Sequence, residues 1–123
     1  MKIKIIKNTI SKKEIADMAK KQFGDLIKVV VDIEQEIIAI GAELHADGEV
    51  ILMEKEGSKR EHTWGINLYP AIKDEEWIEF DSLINLKPSC GNRSRGVENP
   101  QIQKKIKDII KKLVSSPLDS VNH

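Results

Sequence analysis

The run Glu43-Leu44-His45-Ala46-Asp47-Gly48-Glu49-Val50-Ile51-Leu52-Met53 admits two folds. As extended chain, it sets Asp47-Gly48 as a two-residue hairpin turn between Ile37–Leu44 and Val50–Met53, since both residues tolerate positive φ. As a helix from Ala46 to Glu56, it buries Val50, Leu52 and Met53 on one side. The hairpin is the preferred reading, because Asp-Gly between apolar runs is a strong short-range turn signal. The choice also governs the chemistry. Side chains at i, i+2 and i+4 of a strand share a face, so Glu43 and His45 point the same way. Asp47 belongs either to that face or to the turn.

Upstream, Lys2 to Lys7 alternates lysine with isoleucine and predicts a strand. Ser11-Lys12-Lys13-Glu14 is a capping box, in which the serine hydroxyl and the glutamate carboxylate satisfy backbone N–H groups at a helix start. Ile10 and Ile15 sit at the positions of a hydrophobic staple. The first helix is expected from about Lys12 to Phe23, with Gly24 ending it in a left-handed conformation. Val29-Val30-Val31 and Ile37-Ile38-Ala39-Ile40 are β-branched and read as strands.

Downstream, Glu56-Gly57-Ser58 marks a turn before a strand in which Trp64, Ile66 and Leu68 alternate with Thr63, Gly65 and Asn67. A further strand is expected from Trp77 to Leu86. Pro70 and Pro88 close these two strands, because proline lacks the N–H that continues a ladder. Asn99 is the expected N-cap of a last helix beginning at Pro100, whose missing N–H costs nothing there. Ile102, Ile106, Ile109, Ile110 and Leu113 form its apolar stripe, with five lysines on the remaining surface. The predicted architecture is α+β: one domain over residues 1–114 with a curved, mainly antiparallel sheet of five to six strands, an N-terminal and a C-terminal helix, and a polar tail over 115–123.

With 123 residues, 40% hydrophobic and 33% charged, the chain fits one core without metal or disulfide staples. No apolar run approaches a membrane span. The lone Cys90 leaves no intrachain disulfide, which makes a reducing cytoplasm the expected compartment. The zero net charge hides segregation. Residues 1–24 carry seven bases and two acids, residues 25–86 five bases and fifteen acids, and residues 87–123 eight bases and three acids. Internal complementarity between basic ends and an acidic centre is the favoured explanation. Nucleic-acid binding is not excluded, and an exposed sheet edge would allow a homodimer.

The succession of Trp64-Gly65-Ile66-Asn67-Leu68-Tyr69-Pro70, Ser82-Leu83-Ile84-Asn85-Leu86-Lys87-Pro88 and Gly91-Asn92-Arg93-Ser94, downstream of Glu43-Leu44-His45-Ala46-Asp47, resembles an uncharacterised family of small prokaryotic proteins, domain of unknown function 5674. The likeness covers nearly the whole chain. It implies no activity. It implies that the position of Gly48 accepts other small residues, and that Lys87 stands where relatives often have arginine, weakening a bidentate anion contact there.

Three constellations carry candidate chemistry. Glu43, His45 and Asp81 are the catalytic candidates, as a carboxylate and imidazole cluster to which Asp32, Asp47, Glu49 and Glu79 can contribute. Glu43, His45 and Asp47 are the metal-ligand candidates, since such oxygen and nitrogen donors suit a divalent metal that activates water. The competing reading has these side chains on the solvent face of the sheet, pairing with terminal lysines. Asn92, Arg93, Ser94 and Arg95 are the ligand-binding candidates, as guanidinium forks in a glycine-flanked loop suit phosphate or carboxylate. There the competing reading pairs both arginines with the acidic central strands. Cys90 lies one residue away from phosphatase-type spacing, with Gly96 where the arginine would stand, and reads as an incidental thiol. The expected function is binding of a small anionic ligand or acidic partner through Asn92 to Arg95, as a hydrolase if Glu43 and His45 act in acid/base or metal-assisted catalysis. The alternative is a non-enzymatic interaction module.

Overall fold

A computed structural model describes residues 2–115. Five strands form one antiparallel sheet: β1 Lys4–Ile6, β3 Ile27–Asp32, β4 Ile37–Ile40, β5 Thr63–Leu68 and β6 Ile78–Glu79, in the order β1-β4-β3-β5-β6. Three helices are packed on it: α1 Lys12–Gln22, α2 His45–Glu56 and α3 Pro100–Leu113. Two further strands, β2 Ile10–Ser11 and β7 Val114–Ser115, form a separate parallel pair. The α+β class, the antiparallel sheet and the two terminal helices agree with the sequence reading. The polar tail expected over 115–123 opens with Ser115, which pairs with Ser11 in β7. Residues 116–123 lie outside the described residues.

Both expected N-caps form, while the Glu14 carboxylate of the capping box pairs instead with Lys4 at 2.6 Å. Ser11 accepts a hydrogen bond from the Glu14 N–H at 3.0 Å, and α1 gives way at Phe23 to Gly24 with φ +93°. Asn99 accepts from the Gln101 N–H at 2.8 Å, ahead of Pro100.

The Asp47-Gly48 hairpin does not form. Residues 45–56 are helical, and the chain ends that helix in a left-handed Gly57 with φ +68°. The turn signal was outweighed by packing. A Cβ on Gly48 would lie 3.0 Å from Val30 Cγ2 and 3.7 Å from the Cβ atoms of Ala39 and Ala42. A small residue therefore lets α2 approach the sheet closely, and no positive φ is involved. The long strand expected from Trp77 to Leu86 is also corrected. Only Ile78–Glu79 joins the sheet, between short 3-10 turns at Glu75–Trp77 and Leu83–Asn85. Each turn opens on a side chain that captures the backbone, Asp74 on the Glu76 N–H and Ser82 on the Ile84 N–H. Short polar side chains of this kind compete with ladder formation.

The sheet is covered on both faces, which explains why β3 and β4 are almost wholly apolar and buried. Val29, Val31, Ile38, Ile40, Trp64, Ile66 and Leu68 pack with Ile15 and Ala19 of α1 and Ile106, Ile109, Ile110 and Leu113 of α3. On the opposite face Val30, Ile37 and Ala39 meet Leu52 of α2 and Ile84. Thr63, Gly65 and Asn67 lie on this second face by strand alternation. The candidate chemistry gathers around them.

Candidate functional site

The open edge of β5 positions the site. Beyond Leu68 and Asn67, where β6 pairs, β5 has no partner strand on this side among the described residues. Asn85 takes that place. Its carboxamide oxygen accepts the Gly65 N–H at 2.8 Å, while its amide nitrogen donates to the Gly65 carbonyl at 3.0 Å and the Arg95 carbonyl at 2.8 Å. One side chain thus satisfies both backbone groups of an edge residue, as a neighbouring peptide would. Gly65 has no room for more. A Cβ there would sit 2.5 Å from Ser82 Cβ and Oγ, and 3.1 Å from His45 Cδ2.

Asn92 fixes the loop from the other side. Its amide nitrogen donates to the carbonyls of Asn85 at 2.7 Å, Ser94 at 3.1 Å and Gly96 at 2.8 Å, and its oxygen accepts the Glu98 N–H at 2.8 Å. Asn92 is buried. Ser94 accepts the Gly96 N–H at 3.2 Å. Of the expected anion loop, then, Asn92 and Ser94 build the loop itself. Arg95 Nε donates to Asp81 Oδ1 at 2.6 Å in an exposed ion pair, and the Arg93 N–H donates to Glu98 at 3.1 Å.

The helical form of residues 45–56 separates the three metal-ligand candidates. Glu43 and Asp47 are exposed, whereas His45 at the start of α2 is buried, with 8% of its surface exposed. Its Nε2 lies 2.8 Å from the Ile66 carbonyl, so Nε2 carries a proton and Nδ1 is left as the acceptor. Burial pushes the imidazole below its ordinary pKa, the Ile66 bond partly offsets this, and the charges of Lys28, Asp81 and Arg95 add smaller effects of both signs. His45, Asp81 and Arg95 therefore share one neighbourhood, without Glu43 or Asp47 in that set. Among the described residues, no three His, Cys, Asp or Glu side chains are grouped to hold a metal ion.

A second cluster lies at the other end of β5. Glu49 on the buried side of α2 is 6% exposed, and Lys87, just after the Leu83–Asn85 turn, is 4% exposed. Thr63 Oγ1 donates to Glu49 Oε2 at 2.5 Å and Arg60 Nη1 donates to Oε1 at 2.9 Å. Lys87 Nζ stands 3.8 Å from Glu49 Oε2, donates to the Ile84 carbonyl at 2.7 Å and lies 5.3 Å from the Trp64 ring centre. Burial lowers the Lys87 pKa; Glu49 counters this, and Arg60 adds to it. Arg60 and Lys87 open onto a cleft of about 510 Å³ that Glu61, Leu86, Pro88, Ser89 and Cys90 also line.

Glu49 was one of several carboxylates suggested by the sequence, but Arg60 and Thr63 were missed and Lys87 drew notice only through the family resemblance. Their signal was latent. Once residues 45–56 are helical, Glu49 falls beside His45, Gly48 and Leu52 on the buried side, and a glutamate there demands a cationic or hydroxyl partner.

Residues 4–113 match the model of the family described as Protein of unknown function (DUF5674). The chain belongs to that family. The quoted segments that carry the resemblance are now placed. Gly65, Asn67, Ser82, Asn85, Lys87 and Asn92 all meet along the β5 edge, where their hydrogen bonds build the second face of the domain. No curated protein and no solved structure matches the chain. Among the described residues, no helix is long and apolar enough to cross a membrane.

Proposed function

We propose that the protein binds a small phosphate- or carboxylate-bearing ligand in the cleft between Arg60 and Lys87. The observation that carries this reading is a pair of cations at one cleft wall. Arg60, which is exposed, and Lys87, which is buried, both reach the carboxylate of Glu49, and Glu61 lines the cleft with them. An anion seated between the two cations offsets the Arg60–Lys87 repulsion. Ser89 offers a hydroxyl at the same cleft. The loop 87–96 supports the reading indirectly: the cleft wall Pro88–Cys90 is one limb of the segment whose other limb carries Arg93 and Arg95, and Lys87 pairs with Asn92 across it.

The proposal is one of binding. His45 and Asp81 are engaged with Ile66 and Arg95 respectively, and no bond-breaking step is assigned to them. Calorimetric titration with inorganic phosphate and with malonate tests the reading. Saturable binding that disappears in Arg60→Ala and in Lys87→Met, and persists in Arg93→Ala, supports it. Binding that persists in both cleft variants, or no binding of either anion, rejects it.

A further inference from the structure

A second groove lies on the opposite side of the sheet, between the first turn of α1, residues 72–78 and α3. Its volume is about 500 Å³. Lys12, Lys73, Lys107 and Lys111 line it, together with the half-buried Trp77 and an apolar floor of Ile78, Ile110 and Val114. None of these four lysines forms an ion pair among the described residues. Three acids also line the groove. Asp108 is paired with Lys104 at 2.8 Å, which leaves Asp74 and Glu75 as counter-charges to the four lysines. Positive charge is therefore in excess.

The sequence's charge segregation finds a use here. Lys12 comes from the basic N-terminal block, and Lys107 and Lys111 from the basic C-terminal block. The fold brings both blocks to one groove, while other lysines of those blocks neutralise the acidic centre, as Lys7 does with Glu56 and Lys105 and Lys112 do with Glu36.

We propose that this groove binds a nucleotide-class ligand, a phosphate joined to a flat aromatic ring. Lysines supply point charges for the phosphate and lack the fork geometry that selects a planar carboxylate. The indole of Trp77 and the apolar floor supply the surface on which a base stacks. Lys12 Nζ covers that indole at 4.7 Å from the ring centre. An exposed cation–π contact is weaker than base stacking, so a ring displaces the ammonium, and the phosphate receives it. The groove's size suits a small ligand and gives no track for a long strand.

The test is titration of the full chain with AMP, adenosine and inorganic phosphate, followed by calorimetry. Saturable AMP binding at millimolar or lower concentration, at least tenfold tighter than either fragment, is expected. It falls at least tenfold in the double variant Lys107→Ala/Lys111→Ala, which alters only the helix surface and keeps strong helix formers. Lys87→Met, which disables the Arg60 cleft and does not touch the groove, retains this tighter AMP binding. No saturable AMP binding overturns the proposal, as does phosphate binding as tightly as AMP in Lys87→Met, where the Arg60 cleft is disabled. Loss of AMP binding in Lys87→Met with retention in the double variant moves the ligand to the Arg60 cleft, overturning this inference while leaving the first reading intact. An oligonucleotide that binds far more tightly than AMP overturns the small-ligand assignment in favour of a strand.

Discussion

The carboxamide of Asn85 hydrogen-bonds both backbone groups of Gly65, closing the open edge of β5 in the way a further strand would. An unpaired edge is a template for pairing with another chain. Here a side chain occupies it, and the same amide ties the edge to the Arg95 carbonyl of the loop.

Asn85→Leu should therefore destabilise the domain well beyond a surface substitution. It strands the Gly65 N–H and the Gly65 carbonyl, while the Arg95 carbonyl keeps the Ser82 N–H, and buried unpaired groups cost about 1–3 kcal/mol each. Partial relaxation limits the total, and a loss of about 3 kcal/mol is expected in urea unfolding. A loss under half a kcal/mol contradicts the edge-closing role.

Gly65→Ala inserts a methyl group within 2.5 Å of Ser82. Overpacking of this kind costs about 1–3 kcal/mol. Ser82→Gly in the same chain should recover part of that loss, although it gives up the hydrogen bond to the Ile84 N–H. Equal destabilisation in single and double variants, measured by thermal unfolding, counts against the clash.

Removing charges one at a time from the Glu49 cluster should have unequal effects. Glu49→Leu leaves Lys87 buried without its carboxylate and is expected to cost about 3–5 kcal/mol. Lys87→Met leaves Glu49 bonded to Arg60 and Thr63 but strands the Ile84 carbonyl, so its cost should be about 1–3 kcal/mol, below that of Glu49→Leu. Combined with Glu49→Leu, it removes the stranded ammonium, so the double variant should be more stable than Glu49→Leu alone. Additive losses in a double-mutant cycle refute that coupling.

Acid should weaken the fold through His45. Burial, the largest cause, holds its folded pKa below the ordinary 6.5. Below pH 6.5 the unfolded chain binds a proton that the folded chain refuses, so stability is full above that pH and falls until the lowered folded pKa is passed. Urea midpoints between pH 7.5 and pH 5 should show a smaller acid-side decline in His45→Gln. An unchanged decline assigns the acid sensitivity to other groups.

Legibility of the fold in the sequence varied with the range of the interactions involved. Caps were legible because Ser11 with Glu14, and Asn99 with Pro100, act on backbone groups within one turn. The strands Ile27–Asp32 and Ile37–Ile40 were legible because β-branched runs have few other uses. Gly48 was misread because two demands share one residue type: glycine serves a positive-φ turn, and it also lets a helix approach a sheet. Only Val30, Ala39 and Ala42, distant in sequence, distinguish them. The candidate site suffered the same way. Glu43, His45 and Asp47 share a face only in an extended chain, whereas Arg60, Thr63 and Lys87 meet Glu49 through tertiary packing with no fixed spacing. The alternation from Trp77 to Leu86 looked like a strand because its 3-10 turns depend on Asp74 and Ser82 capturing nearby N–H groups.

The pairing of Ile10 with Val114 and Ser11 with Ser115 has a consequence for how the molecule comes into being. These contacts join segments about a hundred residues apart, and closing so large a loop early is entropically unfavourable. During synthesis the capping box of α1 emerges about a hundred residues before residue 115, which completes the strand that clasps its leading edge. The clasp therefore forms only after residues 114 and 115 are made, and until then the nascent chain keeps the α1 side of its sheet open to α3.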